Sequence, residues 1–287
     1  MQPTIETFFD QATFSFTYVV SDPNSGHAAI IDPVLDFDPA AISINQQSAQ
    51  KVLDYVKTNQ LEVKWLLETH VHADHLTASY WLKQQTGASI AISAGIKAVQ
   101  KTFNQLYELT GDAAGQLEHF DRLLKDGEEL PLGDLTINVI STPGHTPSCC
   151  TYLVGDAAFV GDTLFMPDFG TARCDFPAGD ARTLYQSIQK TLSLPGETRL
   201  FMCHDYMPGG RELRWQTSVA EQKADNIHIN DSVSEDSFVA MRTTRDKQLG
   251  VPKLILPALQ INIRAGRLPR AGESGVSFLK LPINQFS

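Results

Sequence analysis

Apolar residues fall into two rhythms along this chain, and the switches between them predict its elements. Phe14–Val20 and Ala28–Ile31 are runs rich in β-branched and aromatic residues, separated by the turn sequence Asp22-Pro23-Asn24-Ser25-Gly26, and they read as strands. Ala49 to Gln60 has helical spacing, with Val52, Leu53 and Val56 on one face. Val63–Glu68 reads as a buried strand. A helix is predicted from near Leu76 to Thr86, with Gly87 as its stop. A strand (Ser89–Ile92) and a helix (Ile96–Leu106) follow. Glu118 to Val160 is strand-rich, with turns at Asp126-Gly127, Gly133-Asp134 and Gly155-Asp156. A Gly/Pro-containing loop (Met166–Gly179), a helix (Asp180–Leu192) and a strand (Arg199–Cys203) come next. Beyond Met207 lie two helical patterns and the proline-punctuated run Leu254-Ile255-Leu256-Pro257. No fixed-period repeat is present. Helices interspersed with two groups of strands predict a layered α/β fold, sheets packed together and helices outside.

Composition narrows the class. The 287 residues have a mean hydropathy of −0.16, ordinary for a protein with a sizeable core. No stretch approaches the ~18–20 apolar residues of a membrane span. Met1 to Glu6 lacks the regions of a signal peptide, so a cytoplasmic location is expected. Cys149, Cys150, Cys174 and Cys203 form no C-x-x-C pair and read as small buried hydrophobes. A net charge of −10 argues against non-specific nucleic-acid binding. Its distribution is uneven: residues 1–170 carry −13 and residues 171–287 carry +3, with ten of the eleven arginines in the second part. Guanidinium forks suit carboxylates. The second part is therefore read either as a holder of an anionic substrate or as a solvated surface.

The chemistry concentrates in Thr69-His70-Val71-His72-Ala73-Asp74-His75, between a predicted strand and a predicted helix. A tight turn can aim several of these side chains into one space, where imidazole and carboxylate together suit zinc, iron and related metals. Three more segments place a donor after an apolar strand. Thr142-Pro143-Gly144-His145-Thr146 offers His145, Val160-Gly161-Asp162-Thr163 offers Asp162, and Met202-Cys203-His204-Asp205-Tyr206 offers His204. Each alone is an ordinary turn residue; their joint occurrence in this order points to a metal site.

That ordered set resembles the metallo-β-lactamase superfamily over about residues 5–215. The resemblance implies an αββα sandwich, two mixed sheets flanked by helices. It places a catalytic domain at 1–215 and an extension at 216–287 packed on it. The finer resemblance is to persulfide dioxygenases of bacterial type. It is carried by the histidine motif, Gly161-Asp162-Thr163-Leu164-Phe165, Ala172-Arg173-Cys174-Asp175-Phe176 and Leu256-Pro257-Ala258-Leu259-Gln260-Ile261-Asn262. It implies one Fe(II) per chain on His70, His145 and Asp162. The implied reaction oxidises glutathione persulfide with O2 to sulfite and glutathione. His72, Asp74, His75 and His204 then stand as outer-shell or second-site residues. His72, Asp74 and Tyr206 are the candidates for direct catalytic help.

Glutathione carries two carboxylates, so Arg173, Arg214 and Arg264, with Tyr206, are the candidate substrate contacts; Arg173 pairing with Asp175 is the structural alternative. The rival chemistry is a dinuclear Zn(II) hydrolase, a glyoxalase II-like thioesterase or lactonase. It would use His70, His72 and His145 on one metal, Asp74, His75 and His204 on the other, and Asp162 as a bridge. A non-catalytic metal-binding scaffold is the third reading. Neither a nucleic acid nor a membrane is an expected partner, and the sequence leaves a homodimer open.

Overall fold

The chain is described by a computed structural model covering residues 2–285. It opens with strands β1 (Thr4–Asp10), β2 (Ser15–Ser21), β3 (His27–Ile31), β4 (Val34–Asp38) and β5 (Ser43–Asn45). Helix α1 (Gln47–Thr58), β6 (Glu62–Leu67), β7 (Leu76–Thr77), α2 (Ser79–Thr86), β8 (Ser89–Ser93), α3 (Ile96–Leu106) and β9 (Arg122–Leu124) follow. A second series comprises β10 (Glu129–Leu132), β11 (Leu135–Ser141), β12 (Cys150–Val154), β13 (Ala157–Phe159), α4 (Ala181–Leu192), β14 (Arg199–Phe201) and β15 (Gln216–Ser218). Helices α5 (Val219–Asp225), α6 (Glu235–Asp246) and α7 (Ile255–Asn262) close it.

Two six-stranded sheets result, ordered β1-β2-β3-β6-β8-β9 and β10-β11-β12-β13-β14-β15, beside a small sheet β5-β4-β7. Strand periodicity explains the layering. Phe16, Tyr18 and Val20 of β2 and Ala29 and Ile31 of β3 point at the second sheet and meet Ile137, Val139, Tyr152 and Phe159. The intervening Val19, Ala28 and Ile30 point outward, under α1, α2, α3 and α7. Helices α4, α5 and α6 cover the other sheet through Leu184, Ile188, Val219 and Phe238. Both faces of the central strands are therefore apolar, each fully buried large side chain contributing about 1.5–3 kcal/mol. The chain folds as the expected αββα sandwich, helices flanking two mixed sheets.

The C-terminal segment has no core of its own. Leu254, Ile255, Ala258, Leu259 and Ile261 insert into the helical layer of the first sheet, while Phe238 inserts into that of the second. One expectation needs correction, and two features went unread. The helix expected from Leu76 starts at Ser79, because Leu76 and Thr77 pair with β4 instead. The Leu254–Pro257 run belongs to a helix, since a proline in the first turn forfeits no intrahelical bond. Strands β1, β4 and β5 had no counterpart in the sequence reading. Among the described residues no helix is long and apolar enough to cross a membrane.

Candidate metal centre

The donor residues gather because their strands end at one edge of the sandwich. His70 follows β6, His145 follows β11, Asp162 follows β13 and His204 follows β14. Two glycines make the approach possible. Gly161 has φ +53°, and a Cβ there would stand 2.6 Å from Thr69 Oγ1. Gly144 has φ +139° and lies against the Leu184 backbone, where a Cβ would come within 2.4 Å. Each lets its neighbouring donor reach the cluster.

All five histidines follow one rule: one ring nitrogen is tied to a fixed partner and the other faces the cluster. His145 Nδ1–H donates to the Arg173 carbonyl at 2.7 Å. His70 Nδ1 lies 3.0 Å from Thr69 Oγ1, whose own hydroxyl donates to Asp32 Oδ2. His72 Nε2 reaches Asp32 Oδ1 at 3.0 Å. His75 Nδ1 is 3.2 Å from Ser15 Oγ, and His204 Nδ1 is 3.3 Å from the Phe14 carbonyl. The carbonyl and carboxylate partners fix the tautomers of His145, His204 and His72, and the Thr69 hydroxyl, committed to Asp32, fixes that of His70. The opposite nitrogens, His70 Nε2, His72 Nδ1, His75 Nε2 and His204 Nε2, are buried without a hydrogen-bond partner, as are Asp74 Oδ2 and Asp162 Oδ1. Buried polar atoms are normally satisfied. Six unsatisfied nitrogen and carboxylate lone pairs converging on one space fit a transition-metal site.

Two donor groups stand out. His70 Nε2 and His145 Nε2 lie 3.8 and 3.7 Å from Asp162 Oδ2, and the three residues form one compact donor set. His72, Asp74 and His75 form another. His204 Nε2 sits between the two groups, 3.2 Å from Asp74 Oδ2 and 3.3 Å from Asp162 Oδ1. Electrostatics follow this layout. Burial depresses His70, and the neighbouring His72 adds to it, which favours the neutral ligand form. Burial opposes ionisation of Asp162, but His204, His70 and His145 outweigh it and hold the carboxyl well below its usual range. Burial likewise works against charge on His72, yet Asp32 and Glu68 lift it to about 9.

Sequence reasoning missed Asp32, Glu68 and Asn262. Asp32 accepts from Thr69 N (2.7 Å), Thr69 Oγ1 (2.8 Å) and His72 Nε2. It stands directly after an apolar strand, the same grammar that identified the other donors, so its signal was present. Glu68 accepts from the hydroxyls of Thr77 and Ser79. Asn262, at the end of α7, donates from Nδ2 to the carbonyls of His72 and His75, both at 2.8 Å, and accepts from Thr77 N at 2.9 Å. The C-terminal extension thus fastens the ligand loop.

The expected substrate contacts are placed as follows. Arg173 forks onto Asp175 at 2.5 and 2.6 Å and donates to the Gly250 carbonyl at 2.6 Å. It also lines an outer groove of about 1110 Å3, with Gln105, Glu108, Phe176 and Lys280. Arg214 pairs with Glu221. Arg264 is buried with Nε and Nη1 unpartnered, and the charges it feels are those of Arg267 and Asp112. Tyr206 stacks on His204, ring centroids 5.6 Å apart, within a cluster of Phe14, Phe165 and Phe169. Arg211, unnoticed in the sequence, clamps the buried Asp205 beside it. All four cysteines are free and buried; burial pushes Cys149 up to about 12 and raises the others, leaving inert thiols.

The metallo-β-lactamase superfamily pattern matches residues 11–204. A probable metallo-hydrolase of Burkholderia pseudomallei is 50% identical over 98% of this chain and 99% of its own. Glyoxylase B2 of Dictyostelium discoideum is 45% identical over 98% and 97%. The human mitochondrial persulfide dioxygenase is 31% identical over 70% and 68%. Among solved structures, ETHE1 from Myxococcus xanthus superposes with a TM-score of 0.73 at 30% identity, covering 92% of this chain and 100% of that one.

Proposed function

The chain belongs to the metallo-β-lactamase superfamily, and from that premise we propose that it is a persulfide dioxygenase with one Fe(II) per chain. The overall reaction would be RSSH + O2 + H2O → RSH + sulfite + 2 H+, with glutathione persulfide as the first substrate to try. The terminal sulfur is oxidised, O2 is reduced, and the S–S bond breaks to release the thiol. The single observation that carries this reading is the compact set of His70, His145 and Asp162. Two histidines and one carboxylate leave positions free for O2 and a sulfur ligand, the pattern of non-heme iron oxygenases. Iron, when bound, supplies the oxygen chemistry.

The chain's own side chains supply the rest. The Arg173 carbonyl and Thr69 hydroxyl fix which nitrogens of His145 and His70 face the metal. A small cavity of about 20 Å3, lined by Val71, Ala73, Val99, Phe103 and Leu259, reaches His145 and would limit water at the reacting atoms. Asp74 Oδ2 lies 3.2 Å from His204 Nε2, where the carboxylate would orient the water that is consumed. Arg173 and Lys280 line the outer groove beside Asp175 and Glu108, so a peptide thiol's carboxylate would compete with Asp175 for the Arg173 fork.

A second reading, a dinuclear hydrolase, is favoured by one specific observation: Asp74, His75 and His204 also present unpartnered donor atoms. Protein loaded with Fe(II) or with Zn(II) discriminates the two. Oxygen-electrode traces with glutathione persulfide and hydrolysis assays with S-lactoylglutathione are the readouts. We expect O2 uptake with sulfite formation in the iron form. Thioester hydrolysis without O2 uptake would overturn the dioxygenase reading.

A further inference from the structure

Two cavities meet at the loop between β13 and α4. The outer groove runs between α3, this loop and the C-terminal tail; the inner cavity reaches His145. Phe176 and Pro177 line both. The inner volume of about 20 Å3 holds roughly one water-sized group. Whatever passes from groove to donor cluster by this route must pass Phe176.

That ring is held on every side. Its edge meets His145 with centroids 5.3 Å apart, and the Arg173 guanidinium lies over it at 5.1 Å. Arg173 cannot swing away, being forked onto Asp175 and bonded to the Gly250 carbonyl. The backbone is tied as well: Gly179 N donates to the Phe176 carbonyl at 2.7 Å, and Cys174 N donates to Asp246 Oδ2 at 2.8 Å. Asp246 is itself paired with the buried Arg242, whose Nη1 donates to the Thr171 carbonyl.

We propose that Phe176 is the specificity-determining residue of this site, narrowing the passage so that only an unbranched stem can deliver its reacting atom to the metal face at His145. The chemistry assumed for the delivered atom rests on the dioxygenase reading above; the constriction itself does not. On this proposal a CH2–S–SH stem passes Phe176 and a carbon bearing two methyl groups next to sulfur does not.

The test compares glutathione persulfide with the persulfide of its penicillamine analogue, which carries two methyls at the cysteine β-carbon. Metal-loaded wild type, Phe176→Ala and Phe176→Leu are assayed by O2 uptake per bound metal, and without O2 by calorimetric binding of the two parent thiols, whose affinity ratio should follow the same order. Methyl-sized differences in apolar pockets are worth about 10–200-fold, so wild type should prefer the unbranched substrate by at least about tenfold in kcat/KM. In Phe176→Ala the preference should shrink to within about threefold, with Phe176→Leu between. An undiminished preference in both variants, or none in wild type, overturns the proposal. If neither persulfide supports O2 uptake, the dioxygenase reading falls. The constriction is then judged by the same ratios on S-lactoyl thioesters of the same two thiols.

Discussion

The donor cluster and the arginine-rich second half make an instructive pair. In the cluster, polar atoms are oriented but unsatisfied: every histidine has one nitrogen fixed and one free. In the second half, charge is plentiful but mostly committed, with Arg264 and Arg267 keeping buried nitrogens without a partner. Seven of its ten arginines are in ion pairs: Arg173, Arg182, Arg199, Arg211, Arg214, Arg242 and Arg270. An uneven charge distribution therefore marks where a chain is braced as readily as where it binds an anion. Unsatisfied buried atoms are the sharper sign of a ligand.

Substitutions should separate the two regions in proportion to that difference. The largest effect is expected for His70→Ala, His145→Ala or Asp162→Ala. Each should cut bound iron and activity by more than about 100-fold, beyond the 10–100-fold typical of outer-shell changes. Elemental analysis beside the oxygen electrode reads both, and wild-type iron retention in any of the three would remove that residue from the ligand set. Asp32→Ala should come next. It frees Thr69 and His72 together, so metal affinity should fall about 10–100-fold with the fold intact, as measured by competition with a chelator.

Asn262→Ala leaves the His72 and His75 carbonyls and Thr77 N without their partner, an expected loss of about 2–3 kcal/mol in denaturant unfolding. Asp22 gives a pH-dependent case far from the metal. The Ser25 hydroxyl and the Asp134 and Asn24 amides hold it at about 2, against a slight cost of burial. A depressed carboxyl contributes stability that is full above its unfolded value near 4 and is lost as pH falls through about 2. Asp22→Ala should therefore lower Tm by about 2–4 °C at pH 7 and by progressively less below pH 4. Arg214→Ala should be smallest, within about 0.5 kcal/mol and with KM unchanged, since its exposed pair with Glu221 is screened by solvent.

What the sequence disclosed and what it hid divide along the same physical line. An apolar run followed at once by His, Asp or Pro-Gly-His announces a strand end with a donor on it, so His70, His145, Asp162 and His204 were legible. Asp32 obeys the same rule, but a single aspartate before Pro33 reads as a turn. Asn262 lies in the family-like Leu256–Asn262 segment, but its role was hidden because its partners are carbonyls nearly two hundred residues away. Strands β4 and β5 were hidden because they form a small, partly exposed sheet whose pairing is decided by neighbours rather than by hydrophobic alternation. The Arg173–Asp175 pair was foreseeable as an alternative from its spacing, but its hold on Phe176 required the loop's path.

The claim most exposed to refutation is that one metal, on His70, His145 and Asp162, suffices. Iron per chain, measured in wild type and in His75→Ala after identical reconstitution, tests it directly. The expected result is one iron in both proteins. Two metals in wild type falling to one in His75→Ala would contradict it and establish a dinuclear centre.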